Sequence, residues 1–163
     1  MSRLRAVSAP EIAGVVYGTI VVMGAITAGS KGGAPQAAEL AGIVAGTIVV
    51  LWIAHVYAHS LAETISRGRR LDRAEFLSVA RREIAMLLSG VIPVAVLVLG
   101  ALGVFKETTA VWLALGFGLL TLAVEGVRYA TVERLSVLAT IASVAINVAF
   151  GLVIVGLKAG LAH

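Results

Sequence analysis

Long apolar runs dominate the chain, separated by short breaks that are charged or rich in glycine and proline. The runs cover residues 11–29, 39–65, 84–105, 108–129 and 134–157. A helix that crosses a bilayer needs roughly 20 mainly apolar residues, so each run is long enough for one crossing. Because the runs use almost all of the 163 residues, the pattern predicts a single all-α transmembrane domain over residues 1–163, a bundle of about five helices.

The break between the second and third runs contains LDRAEFLSVARREIA, residues 71–85, which predicts a short amphipathic helix. Asp72 and Glu75 have the D-x-x-E spacing of a capping box, which marks the start of a helix. Four apolar side chains would lie on the inner membrane surface while the arginines face lipid headgroups. These four are Leu71, Phe76, Leu77 and Val79.

Composition places the chain in a membrane. Sixty per cent of residues are hydrophobic, 13 % are charged and the mean hydropathy is +1.02, whereas soluble proteins are about half apolar and a quarter charged. The chain has no cysteine, which excludes disulfides and thiolate chemistry.

The arginines predict the orientation, because short cytoplasmic loops retain basic residues. All ten arginines fall on one side of the five-span arrangement, and Lys31, Lys106 and Lys158 fall on the other. We therefore expect an integral protein of a bacterial-type cytoplasmic membrane, with its N-terminus inside and its C-terminus outside. The positive charge would face an anionic inner leaflet, so a nucleic-acid partner is not expected. The arginines are Arg3, Arg5, Arg67, Arg69, Arg70, Arg73, Arg81, Arg82, Arg128 and Arg134.

The first two runs nearly repeat each other. EIAGVVYGTIVV, residues 11–22, and ELAGIVAGTIVV, residues 39–50, are identical at nine of twelve positions. The copies would be antiparallel, like units related by a two-fold axis in the membrane plane. Each copy holds a GxxxG pair, which lets helices approach closely. With a third pair at Gly156/Gly160, these glycines predict a homo-oligomer, most simply a dimer.

Seven of the nine acidic residues have a structural interpretation. Five begin the five spans, where a carboxylate favours the positive end of the helix dipole, and Asp72 and Glu75 form the capping box. Glu63 and Glu125 remain. The five span-opening residues are Glu11, Glu39, Glu83, Glu107 and Glu133.

Glu63 belongs to a stripe of ionisable residues on the second span. His55, His59 and Glu63 recur at i, i+4 and i+8 and so share one helix face. On the fourth span, Glu125 would lie at the same depth as His59. Buried ionisable residues in a membrane are functional candidates by default, so these four predict an ion or proton site. His55, His59 and Glu125 could also bind a divalent transition metal, although no cofactor follows from the sequence with certainty.

Several polar side chains are candidates to line such a site. One stripe that contains glycine, threonine and tyrosine runs along the fourth span. A Ser/Thr/Asn stripe runs along the fifth, where helix packing is the competing interpretation. Pro93 removes a backbone hydrogen bond near the middle of the third span. The candidate lining residues are Tyr17, Thr121, Tyr129, Thr140 and Asn147.

A structural interpretation competes with the functional one at each ionisable residue. Glu63 could pair with Arg67 and Glu125 with Arg128, both at helical spacing, and the histidines could simply form hydrogen bonds between helices. Two function classes follow. The first is a small transporter or channel for protons, metal ions or other cations, with a His/Glu stripe open to the cytosol. The second is a non-catalytic subunit or assembly protein of a larger membrane complex. An enzyme is less favoured, because the sequence has no Ser/His/Asp constellation, HExxH motif, glycine-rich phosphate loop or DxxD pair.

Overall fold

A computed structural model describes residues 9–30 and 36–161. Their regular secondary structure is entirely α-helical. Arg3, Arg5 and Lys31, which contributed to the predicted orientation, lie outside the described residues. The helices are α1 (Ala9–Gly29), α2 (Ala37–Arg67), α3 (Arg73–Arg82), α4 (Ile84–Leu88), α5 (Val91–Ala101), α6 (Glu107–Val132) and α7 (Val137–Leu161).

Five helical segments are long and apolar enough to span a membrane, as predicted. The third of them, Ile84–Ala101, is interrupted between α4 and α5. The interruption explains how Pro93 is accommodated, because Pro93 falls in the first turn of α5, where a missing N–H leaves no intrahelical bond unmade. The same segment ends at Ala101, four residues before the predicted limit of 105. A turn follows, in which Gly103 has a φ of 79°.

The core is built around α6, which packs against α1, α5 and α7. The short α4 packs on α1, and α2 covers α1 and α5. Met23, Leu97 and Leu122, from α1, α5 and α6, are fully buried in one hydrophobic cluster. In contrast, α7 is peripheral: 6 % of its most apolar window is buried, against 28–44 % for the other four spans.

The two ends of the bundle carry different basic residues. One end, called the arginine end below, contains the start of α1, the end of α2, α3, the end of α6 and the start of α7; every described arginine lies there. At the other end, the Lys158 ammonium on α7 donates to the Ser30 hydroxyl after α1 and lies 5.8 Å from the centre of the Trp112 ring. This lysine therefore ties the peripheral helix to two core helices.

The GxxxG pairs do not share one role. Gly14 and Gly18 face α4, and a methyl group added at Gly18 would lie 2.3 Å from the Ser89 hydroxyl. Around Gly42 and Gly46 no atom of residues 9–30 and 36–161 lies within 4 Å of such a group, and the same holds for Gly156 and Gly160. Close packing within the chain thus occurs at the first pair, whereas the second and third pairs face outward.

The amphipathic helix forms as predicted, with its capping box. The Asp72 carboxylate accepts from the Glu75 N–H (2.8 Å), and the Glu75 carboxylate accepts from the Asp72 N–H (2.9 Å). Glu75 also pairs with Arg67 and Arg69, both 2.6 Å away. Arg69 is the largest cause that holds the pKa of Glu75 down, at about 2. Trp52 fixes the other end of α3 by donating its indole N–H to the carbonyl of Ala80, at 3.3 Å.

Candidate functional site

A histidine and a carboxylate meet where α2 passes the junction of α3 and α4. His59 Nδ1 lies 2.7 Å from Glu83 Oε1. Glu83 ends α3 and precedes α4, and its side chain caps neither helix. It is therefore free to turn towards α2. The Glu83 side chain is 15 % exposed and the His59 side chain 56 %, so the pair has one buried member and one accessible member.

A second histidine continues this arrangement along α2. The ring centres of His55 and His59 lie 6.1 Å apart, and the Tyr17 ring of α1 lies 5.2 Å from that of His55. His55 Nδ1 lies 3.1 Å from the carbonyl of Leu51. Since a carbonyl only accepts, Nδ1 of His55 carries the hydrogen and Nε2 is the atom that can gain a proton. The Glu83 carboxylate likewise only accepts, so Nδ1 of His59 also carries the hydrogen and its Nε2 can gain a proton.

These side chains line a cavity of about 350 Å³ between α1, α2 and α4. Tyr17, His55, His59 and Glu83 supply its polar groups, and Ala13, Gly14 and Met86 supply the rest of the wall. The cavity is named the histidine cavity below. It brings together two of the four predicted ion-site residues and one predicted lining residue, Tyr17.

The third residue of the predicted stripe, Glu63, is paired with arginines. Its carboxylate lies 2.5 Å from an Arg82 nitrogen and 3.2 Å from an Arg67 nitrogen. The contact with Arg67 is the i,i+4 pair that the sequence offered as the structural interpretation. Glu63 thus joins the end of α2 to the end of α3 and does not line the histidine cavity.

Glu125 also has an arginine partner. It is 3 % exposed, its Oε1 accepts from Arg128, and its Oε2 has no hydrogen-bond partner among the described residues. No salt bridge joins Glu125 to His59 among the described residues. Nor do residues 9–30 and 36–161 contain any group of three His, Asp or Glu side chains that could hold a metal ion. The set His55, His59 and Glu125 is therefore not assembled as a metal site.

The remaining candidate lining residues separate into two groups. Thr121 and Thr140 donate their hydroxyls to carbonyls of their own helices, at 2.9 and 3.0 Å. Tyr129 and Asn147 line a different space, a groove of about 650 Å³ between α1, α6 and α7. Ser143 donates across this helix pair to the carbonyl of Gly126, at 3.3 Å, so this part of the α7 stripe contributes to helix packing.

Sequence reasoning missed Glu83 as a site residue. Glu83 was interpreted only as a carboxylate at the start of the third span, and it shares no helical spacing with His59. The available signal was its position immediately after Arg82 at a predicted helix boundary, where a side chain need not follow the face of either helix. Only the packing of α4 beside α2 brings Glu83 within reach of His59.

Comparison with known proteins gives no match: no protein-family model, curated protein or solved structure resembles the chain. Its function must therefore be inferred from the site.

Proposed function

We propose that the protein is a small integral-membrane transporter that moves protons or another small cation through the histidine cavity. The observation that carries this proposal is the His59–Glu83 contact of 2.7 Å at the wall of that cavity. Histidine gains and loses a proton between pH 5 and 8, and ionisable groups inside a membrane segment usually serve transport or proton relay.

The arrangement suits a proton relay because two titratable side chains, His59 and His55, follow one another along α2. Protonation of His59 at Nε2 strengthens its contact with the Glu83 carboxylate by adding charge to the hydrogen bond. The His55 ring, 6.1 Å from the His59 ring, is within the span of one bridging water. A proton could thus pass from the accessible His59 to the half-buried His55, whose ring lies 5.2 Å from that of Tyr17.

We place the arginine end in the cytosol, at the inner surface of a bacterial-type cytoplasmic membrane. Among the described residues, Arg70, Arg73 and Arg81 form no salt bridge. They are exposed and available to anionic headgroups, which attract basic segments near the membrane. In this orientation the histidine cavity opens from the cytosolic side.

Proton flux into liposomes tests the proposal. Purified protein is reconstituted into vesicles that contain a pH-sensitive dye, and a potassium diffusion potential supplies the driving force. Wild-type protein is expected to give a flux above that of protein-free vesicles, with a rate that changes between pH 5 and 8. Glu83→Gln and His59→Ala are each expected to reduce the flux to the protein-free level.

The matched control is Glu39→Gln, which removes an exposed carboxylate from the opposite end of the same helix and should leave the flux unchanged. Each variant is first shown to be folded by circular dichroism and gel filtration. Proton flux in folded Glu83→Gln equal to that of wild type would contradict the proposed site. Absence of flux for protons and for a panel of cations in wild type would contradict the transporter proposal itself.

The alternative, a non-catalytic subunit of a larger complex, is favoured by the outward-facing glycine pairs on α2 and α7. Gly42/Gly46 and Gly156/Gly160 leave open space that another helix could fill, as small residues do at helix interfaces in membranes. Recovery of a stable complex with a second protein, together with the absence of flux, would favour this alternative.

A further inference from the structure

The charge of the histidine cavity depends on one carboxylate. Arg82, the neighbour of Glu83 in the chain, is held by Glu63 at 2.5 Å. Within the described residues no Lys or Arg forms a salt bridge with Glu83, so His59 is its cationic partner. When His59 is neutral, the described residues leave one negative charge in the cavity without a cationic partner. The cavity is then ready to accept a cation.

The size of the cavity favours an organic cation over a bare metal ion. Its volume of about 350 Å³ lies in the range of about 300–1,000 Å³ that is typical of small-molecule sites. A protein-bound metal ion needs several ligands at about 2.0–2.6 Å, and the described residues offer no group of three such side chains. A single carboxylate in a wide cavity suits an ammonium group.

The wall of the cavity supports the same ligand class. Tyr17 presents an aromatic ring, and aromatic faces attract ammonium groups by cation–π interaction. Ala13 adds exposed apolar surface for the carbon substituents of an amine. Gly14 contributes no side chain to the wall and packs against Ala85 and Met86 of α4.

We propose that the histidine cavity binds a small organic cation, an alkylammonium ion, on Glu83 in exchange for the proton of His59. This inference rests on the proposed transport function and names its cargo. Before exchange, protonated His59 pairs with the Glu83 carboxylate. The incoming cation takes its place on Glu83, and His59 releases one proton through Nε2. The net charge of the cavity is zero in both states.

The other titratable or charged groups around this exchange are few. Tyr17 from α1 and His55 from α2 share the cavity with the pair. Glu63 and Arg82, on the adjoining parts of α2 and α3, are paired with each other. Proton release on binding is assigned to His59 because His59 contacts the Glu83 carboxylate, whereas His55 bonds to the Leu51 carbonyl; the substitution of His59 tests that assignment.

Proton release during ligand binding tests the exchange. Tetraethylammonium chloride is added to purified full-length protein in weakly buffered detergent solution at several values between pH 5 and 8. Binding is measured by calorimetry and proton release with a soluble pH dye. Wild-type protein is expected to bind the probe and to release up to one proton per chain, while sodium chloride at the same concentration does neither.

Three variants separate the parts of the site. Glu83→Gln should lose binding and proton release together. His59→Ala should still bind tetraethylammonium but release no proton. Tyr17→Leu should bind about 2- to 30-fold more weakly, the range that corresponds to a cation–π contact. Two controls accompany them. Glu39→Gln should behave as wild type. Glu83→Asp, which retains the charge, should bind with reduced affinity and so show that the cavity is still folded when residue 83 is changed.

The outcomes distinguish this inference from the transport proposal. If wild type conducts protons in vesicles but does not bind tetraethylammonium, the organic cargo is wrong and the transporter proposal stands. Equal binding by wild type and folded Glu83→Gln would also overturn the inference. If wild type shows neither flux nor binding, both proposals fail.

Discussion

Glu107, in the first turn of α6, accepts a hydrogen bond through Oε2 from the backbone N–H of Ala37, the first residue of α2, at 3.0 Å. Gln36 precedes α2 but provides no side-chain cap. A carboxylate from another helix thus performs the capping role that a neighbouring side chain usually has. Because Ala37 is fully buried, no solvent can replace Glu107 as the acceptor.

Glu107→Ala is therefore expected to lower the free energy of unfolding by about 1–3 kcal/mol, the cost of leaving a buried donor without a partner. Denaturant titration in detergent micelles, followed by circular dichroism, measures the change. Glu39→Ala is the control, since Glu39 is exposed in the first turn of α2 and contributes at most about 1 kcal/mol through the helix dipole. Equal losses in the two variants would refute the inter-helix cap.

The contact between Glu107 and α2 is of a kind that the sequence did not predict, because it joins two helices. The apolar runs predicted five spans because length and hydropathy are local properties, and the D-x-x-E spacing predicted the cap of α3 for the same reason. The pairs Glu63–Arg67 and Glu125–Arg128 were available as alternatives because their spacing is helical. Contacts within one helix could thus be read from the chain.

Contacts between helices could not be predicted in this way. In a chain that is apolar on nearly every helix face, periodicity does not show which face meets a neighbour. Glu125 was assigned to the same site as His59 by depth alone, whereas His59 contacts Glu83. Likewise, Gly14/Gly18 and Gly42/Gly46 have the same spacing, but among the described helices only the first pair contacts a neighbour.

Acidification should detach α3 from α2. The pKa of Glu75 is lowered to about 2, against 4.5 without its partners, by Arg69 first and by the Asp72 backbone next. A depressed pKa stabilises the folded contact fully above about pH 4.5, and the stabilisation is lost as the pH falls towards 2. Trp52, which donates to Ala80 of α3, should report the loss as a change in fluorescence between pH 4.5 and 2.

The measurement requires a Trp112→Phe background, because the chain has two tryptophans. In that background, Glu75→Gln should already show the altered Trp52 fluorescence at neutral pH and little further change down to pH 2. A Glu75→Gln profile that overlays the wild-type profile would show that another group causes the transition.

Arg134 has a φ of 52°, in the left-handed region, where α6 ends. The N–H of Leu135 bonds to the carbonyl of Ala130 (2.9 Å) and that of Arg134 to Thr131 (3.3 Å), the pattern of a Schellman motif. Glycine normally occupies this position because a side chain costs about 1–2 kcal/mol there. Arg134→Gly should thus raise the free energy of unfolding by about 1 kcal/mol, as measured by denaturant titration. Arg134→Ala removes the charge but retains the strain, and an equal gain there would exclude the backbone explanation.

The outward glycines predict a homo-oligomer whose contact excludes large side chains. Mass measurement in mild detergent should show more than one 16.7 kDa chain. Gly46→Leu should give a folded monomer, since no atom of the described residues lies within 4 Å of a methyl group added at Gly46. Gly18→Leu should instead unfold the protein, because the added atoms would meet the Ser89 hydroxyl and the Met86 carbonyl. A monomeric wild type, or an unchanged oligomer in both Gly46→Leu and Gly156→Leu, would contradict this prediction.

Reporter fusions test the orientation. The division of the arginines predicts that a reporter fused after His163, which lies outside the described residues, is exported. A reporter inserted between Arg70 and Asp72, in the connection from α2 to α3, should remain cytosolic. The reverse result at either position would place the arginine end outside the cell.

The peripheral position of α7 has a consequence for biosynthesis. Every buried side chain of the central hydrophobic cluster precedes residue 123, the last being Leu122; α7 contributes only the partly buried Ile154 and Val155. A ribosome therefore completes the residues of this core before it has translated α7. When α7 is synthesised, all the buried side chains of this cluster have already been made. The docking of α7 can therefore be a late, separate step of assembly.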